Sequence, residues 1–107
     1  MVPAIATKIT AMEAQGAANG FLLDHLPDRF LAIEPHFDSS ARAWRLPVVI
    51  AYPFIGPIGE VGEISVNVSD EAIISHTPFD EMMSRARILY DQHREAIETA
   101  FSQARNS

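Results

Sequence analysis

The chain has no cysteine, one lysine and one tryptophan in 107 residues. Without cysteine there is no disulfide framework, no thiol catalysis and no thiolate metal site. Long hydrophobic runs are also missing: no apolar stretch approaches the ~18 residues needed to cross a bilayer. No continuous apolar stretch follows Lys8, so no secretion signal is read there and a cytoplasmic location without a membrane partner is expected. Positive charge is scarce and scattered. Eight bases face fourteen acids, for a formal net charge of −6, and the arginines spread from Arg29 to Arg105. Nucleic-acid binders concentrate Lys and Arg to displace phosphate counterions, so nucleic acid is not an expected partner.

Catalytic signatures are absent as well. There is no Gly-x-Ser-x-Gly elbow and no Ser-x-x-Lys. His25, His36, His76 and His93 form no His-x-His or His-Glu-x-x-His pair that would suggest zinc. The least remote combination of dispersed groups is His36 with Glu34 and His76. His93 falls on an apolar helical stripe and reads as a partly buried core histidine. Gly56, Gly59 and Gly62 recur every third residue, like a phosphate loop. A strand follows them rather than a helix, however, and Glu60 and Glu63 would repel phosphate, so they read as a turn or bulge. No catalytic residue, cofactor or metal ligand is assigned.

What the chain does contain is a foldable pattern. With 48% apolar and 21% charged residues it belongs among globular proteins. A chain of this length hides roughly 60–70% of its unfolded surface. We read residues 1–107 as one domain, with residues 1–16 a loosely attached helical segment and 102–107 a frayed tail. Ile5, Ile9 and Met12 recur at helical spacing, as do Phe21, Leu22 and Leu26, and Gly16 to Gly20 predicts a bend, a break, or a frayed first segment followed by a firmer helix around Ala17 to Leu26. Pro27 closes the helical pattern.

Three strands are then predicted. The first lies within Phe30 to Phe37, with Leu31, Ile33 and Phe37 on one side and Pro35 marking an edge or bulge. The turn at Asp38 to Ala41 joins it to a second strand, Trp44 to Tyr52, whose Trp44, Leu46, Val48, Ile50 and Tyr52 share a face. The third, Glu60 to Ser69, carries Ile64, Val66 and Val68 opposite a wet face of Glu63, Ser65, Asn67 and Ser69. Thr77 reads as an N-cap and Pro78 as the first residue of a helix reaching about Phe101. Its apolar stripe runs from Phe79 through Met82, Met83, Ala86, Leu89 and Tyr90 to Ile97 and Phe101. The expected fold is an α+β two-layer sandwich in the order α-β-β-β-α, a three-stranded antiparallel sheet packed on two helical segments.

One segment asks for a functional reading. Between Pro53 and Gly59 stand Phe54, Ile55 and Ile58 and no charge. Loops rarely carry three large apolar side chains unless they fold over the core or make contacts. Together with Val49 and Ala51, and with Phe30 and Ala32 beside them, these residues form the candidate interaction surface. The runner-up is a small-ligand pocket between helix and sheet under Trp44, Tyr52 and Tyr90.

The segments Leu26-Pro27-Asp28-Arg29-Phe30, Trp44-Arg45-Leu46-Pro47-Val48, Gly59-Glu60-Val61-Gly62-Glu63-Ile64 and Leu89-Tyr90-Asp91-Gln92-His93-Arg94 resemble those of short bacterial proteins of unknown function, cyanobacterial ones among them, over about residues 20 to 101. The helix–hairpin–strand order also resembles small PepSY-like modules. Fold analogy transfers no function, and neither likeness implies a site residue. The expected role is non-enzymatic: a protein-binding or regulatory module acting as a homo-oligomer, by default a dimer, or as the acidic partner of another protein. Small-ligand binding is the alternative.

Overall fold

The computed structural model describes residues 9–106. Helix α1 (Ala11–His25) leads into strands β1 (Phe30–Ala32), β2 (His36–Asp38), β3 (Ala43–Tyr52), β4 (Gly56–Asn67) and β5 (Ile73–His76), and helix α2 (Phe79–Asn106) follows. The class is α+β, with two helices and an antiparallel sheet curled into a half-barrel.

The sheet has five strand segments rather than three, in the order β1-β3-β4-β5 with β2 also on β3. Two causes account for the difference. The first predicted strand is broken at Ile33 to Pro35, where Glu34 takes a positive φ of 50°. Its halves pair with different parts of β3, Phe30 opposite Ile50 and Phe37 opposite Trp44. The faces also differ from those expected. Phe30 and Ala32 are buried in the core while Leu31 is exposed, and beyond the kink Phe37 lies against the Trp44 ring. The other cause is β5, a short strand where none is predicted. Ile73 and Ser75 pair with Val66 and Ser65, leaving Ile74 bulged and exposed.

Helix α1 is one continuous helix with no bend at its glycines. Thr10 and Glu13 form a capping box: Thr10 accepts from the Glu13 N–H at 3.1 Å and the Glu13 carboxylate accepts from the Thr10 N–H at 2.8 Å. Its buried face is Ala14, Ala18 and Leu22, whereas Met12 is 81% exposed. Small residues bring the helix close to the sheet. Asn19 uses that proximity to close the edge of β1, accepting from the Ala32 N–H at 2.8 Å and donating to the Ala32 carbonyl at 3.1 Å. Gln15 donates to the same carbonyl at 3.2 Å. A side-chain amide thus stands where the next strand would be. Ile5 and the rest of residues 1–8 lie outside the described residues.

One cluster joins Leu22 and Phe30 to Leu46, Val48, Ile50, Val61, Ile64 and Val66, and to Met82 and Ala86 of α2. Two bulges in the β3–β4 pairing insert Ile58 and Val61 as extra residues, and both turn to the core. Helix α2 runs directly over β4. A Cβ on Gly62 would fall 2.7 Å from Thr77 Cβ, and one on Gly59 would fall 2.7 Å from a Leu89 methyl. These glycines are therefore the seat of α2 as well as part of a bulged strand. The predicted stripe is present in graded form: Met82, Ala86 and Ile97 are buried, Phe79, Leu89, Tyr90, His93 and Phe101 half-buried, and Met83 exposed. Thr77 is not the N-cap. Its hydroxyl accepts from the Glu63 N–H at 3.0 Å, tying β5 to β4, and the Pro78 carbonyl accepts the first helical bond from Met82.

Two substitutions test this frame. Asn19→Leu keeps the helix but leaves the Ala32 N–H without a partner, and should cost ~1–3 kcal/mol in urea unfolding. Gly62→Ala should cost a similar ~1–3 kcal/mol by overpacking against Thr77. Wild-type stability in both variants would contradict the packing described.

Candidate functional site

The sheet, its curl and α2 together leave a cleft of about 310 Å³ at one end of the core. Its floor is Phe30 of β1 with Ile50 and Tyr52 of β3, and its wall is Met83, Ala86, Arg87 and Tyr90 of α2. The turn after α1 closes it with Pro27, Asp28 and Arg29. Helical spacing places the four α2 residues on one side of that helix, facing the strand residues. The Tyr52 and Tyr90 ring centroids lie 5.9 Å apart. The Arg29 guanidinium sits 4.6 Å above the Tyr52 ring and 5.8 Å from that of Phe101. Such a cation–π seat orients an arginine without neutralising it.

The electrostatics single out this end of the molecule. Arg45 bridges Asp38 at 3.0 Å and Glu63 at 2.7 Å on the far face of the sheet, and the Ser40 hydroxyl, with Arg45 second, lowers the Asp38 carboxyl pKa to about 2. On α2, Arg85 pairs with Glu81 and Arg94 with Asp91. No carboxylate lies within ion-pair distance of Arg29, Arg42 or Arg87 among the described residues, and two of these three line the cleft. Burial pushes the Tyr52 phenol above its ordinary value, against the opposing pull of Arg29.

The sequence-predicted residues divide. Tyr52 and Tyr90 do meet at a cleft, but Trp44 does not belong to it. Its indole N–H points toward the Ile9 carbonyl at 3.4 Å, eight residues back along β3. In the proposed interaction surface, Phe54 is 71% exposed and Ile55 37%, both at the β3–β4 turn. Ile58 packs against the core, Ala51 is half-buried, and Val49 is only 6% exposed. Val49 lies beside Leu31 rather than beside Phe30 and Ala32, which point into the core. The continuous patch is therefore reduced to the turn itself.

Phe54 has an unusual backbone. The Ile55 N–H donates to the Tyr52 carbonyl at 3.2 Å, and Phe54 takes φ 72°. Pro53 and Phe54 thus occupy the central positions of a type II turn, the second of which favours glycine. Its ring meets that of Phe101 edge-on, with centroids 5.8 Å apart.

The histidines do not converge on a metal. His36 and His76 lie on strands at opposite sides of the sheet, and no group of three or more His, Asp or Glu able to hold an ion occurs among the described residues. Sequence reasoning missed a four-ring cluster in which Phe79 stacks on both His25, at 5.0 Å, and His76, at 4.4 Å, and Phe21 is tilted against all three. Each imidazole donates from Nδ1 to a backbone carbonyl, that of Phe21 or of Thr77. The stack fastens the ends of α1 and β5 to the start of α2.

No family model matches the chain, nor does any curated protein or solved structure. The PepSY-like likeness rests on element order alone. No helix among the described residues is long and apolar enough to cross a membrane.

The Tyr52 environment has a measurable consequence. With its folded pKa raised above the unfolded value of about 10, the unfolded chain loses the phenolic proton first. Stability should therefore fall as pH rises past about 10. Tyr52→Phe should flatten that alkaline slope in urea unfolding measured across the alkaline range. An alkaline slope unchanged in Tyr52→Phe would contradict the assignment.

Proposed function

We propose that the chain is a non-catalytic, cytoplasmic binding protein whose cleft between α2 and the β1–β3 end of the sheet receives a small molecule. The supporting observation is the composition of that cleft: an apolar floor, two facing tyrosines and two arginines without carboxylate partners. Its volume stands at the low end of the ~300–1,000 Å³ common for ligand sites, and its lining has the usual character of an apolar body with few polar groups. Nothing in it couples a nucleophile to a base, so binding without turnover is the chemistry it supports. A screen of mixed neutral and charged fragments by two-dimensional NMR tests this. Hits should shift resonances of Tyr52, Met83 and Tyr90, and Tyr90→Ala should weaken them at least tenfold. Hits confined to other surfaces, or none at all, would contradict the reading.

A second reading is carried by Phe54. A large side chain held at positive φ costs on the order of 1–2 kcal/mol, and such strain concentrates where exposed groups are used. In this reading the turn makes a protein contact, with a second copy of the chain as the occupant and a two-fold dimer as the simplest closed form. Phe54→Gly removes both strain and ring. It should leave stability equal or higher while abolishing any concentration-dependent dimer in sedimentation velocity. A wild-type chain that stays monomeric throughout, or a Phe54→Gly chain that is less stable, would defeat it.

A further inference from the structure

We infer that the ligand of this cleft is a small organic oxyanion, a carboxylate on a planar apolar body, held at its charged end by Arg87 with Arg29 beside it. The inference rests on the small-molecule reading above and adds the ligand's charge and shape.

The charge follows from which cations are already used. The chain carries an excess of acids, and on α2 the guanidinium groups of Arg85 and Arg94 each find a carboxylate on their own helix. Arg87, between them in sequence and at the cleft, finds none among the described residues. Arg29 is oriented by aromatic rings instead of an acid, which fixes its position and leaves its charge available. Asp28 also reaches the lining, so the balance at the cleft is two cations to one carboxylate. That suits one oxyanion and not several.

The shape follows from the remaining walls. Tyr52 and Tyr90 offer ring faces tilted by 47°, Phe30 and Ile50 close the floor, and Ala86 is small enough to leave the space open. Met83 adds an adaptable, polarisable side chain. One or two fused rings fit a cleft of about 310 Å³, and its two arginines suit a single charged group better than a chain of phosphates. Of the three glycines that might have cradled phosphate, Gly59 and Gly62 lie beneath α2, closed off by Leu89 and Thr77, and Gly56 stands apart at the β3–β4 turn. Planar recognition of a carboxylate by a guanidinium is bidentate, so it discriminates strongly against an uncharged isostere.

Matched pairs test the inference on the whole chain: benzoate, 2-naphthoate and indole-3-acetate, each against its primary amide, titrated by two-dimensional NMR at fixed ionic strength. At least one acid should bind at the cleft, shifting the side-chain Nε–H signals of Arg29 and Arg87, at least tenfold more tightly than its amide. Arg87→Gln, an exposed helical position, should reduce that preference to less than threefold with an unchanged fold. Arg42→Gln, equally unpaired but outside the cleft, should leave it intact. Acid and amide binding equally at Tyr52 and Tyr90 would overturn the oxyanion inference while leaving the small-molecule reading standing. Failure of all six compounds to perturb the cleft would overturn the inference, and the neutral fragments of the broader screen then decide the small-molecule reading separately. An acid preference that persists in Arg87→Gln and vanishes in Arg42→Gln would also overturn it.

Discussion

The close seating of α2 on β4 is the constraint on which the rest of this structure depends. Gly62 and Gly59 leave no room for a side chain beneath the helix, and Thr77, Met82 and Leu89 occupy the space directly above them. Because the helix is seated there, its next residues, Met83, Ala86, Arg87 and Tyr90, become the wall of the cleft. Raising the helix would widen that cleft, separate the Tyr52–Tyr90 pair and expose the core at Ala86. The bulges at Val61 and Ile58 act in the same direction, curling the hairpin toward the helix and filling the curve with apolar side chains. Structure and candidate function thus share one cause.

The opposite side of the sheet is secured differently. There Asn19 takes the place of a neighbouring strand, satisfying both the N–H and the carbonyl of Ala32. This is possible because Ala14 and Ala18 draw α1 close. Unpaired sheet edges invite association, so an edge closed by a helix side chain directs any contact elsewhere. On the far face, Arg45 links Asp38 and Glu63 across three strands, but Arg45 and Glu63 are about half exposed, so these surface pairs contribute little. Apolar packing and the two helix seats carry the fold.

Much of this was legible in the sequence. The long second strand and the amphipathic C-terminal helix announce themselves by period, and Pro35 marks the interruption found there. Other features were hidden for identifiable reasons. Strand β5 is only four residues long with one of them bulged, too short for alternation to register, although Ile73-Ile74 after a polar turn was a usable signal. The inward facing of Phe30 follows from its pairing with Ile50, and the separation of Leu31 and Phe37 onto opposite faces from a positive φ at Glu34, a conformation that glutamate does not advertise. The continuity of α1 through Gly16 and Gly20 reflects tertiary packing overriding a weak local preference. At the site, Tyr52 and Tyr90 were visible as amphipathic residues, whereas Arg29 and Arg87 were not. Their significance lies in lacking a carboxylate partner, which only the fold reveals.

The cleft exists only if α2 lies directly on the glycines of β4, and nuclear Overhauser contacts measure that seating without any ligand. The account predicts strong cross-peaks from the Gly59 Hα protons to the Leu89 methyls and from those of Gly62 to the Met82 methyl, together with contacts between the Tyr52 and Tyr90 rings. Weak or absent Gly59–Leu89 contacts in a folded chain would mean that α2 stands off the sheet, and the cleft with its arginines would not be formed as described.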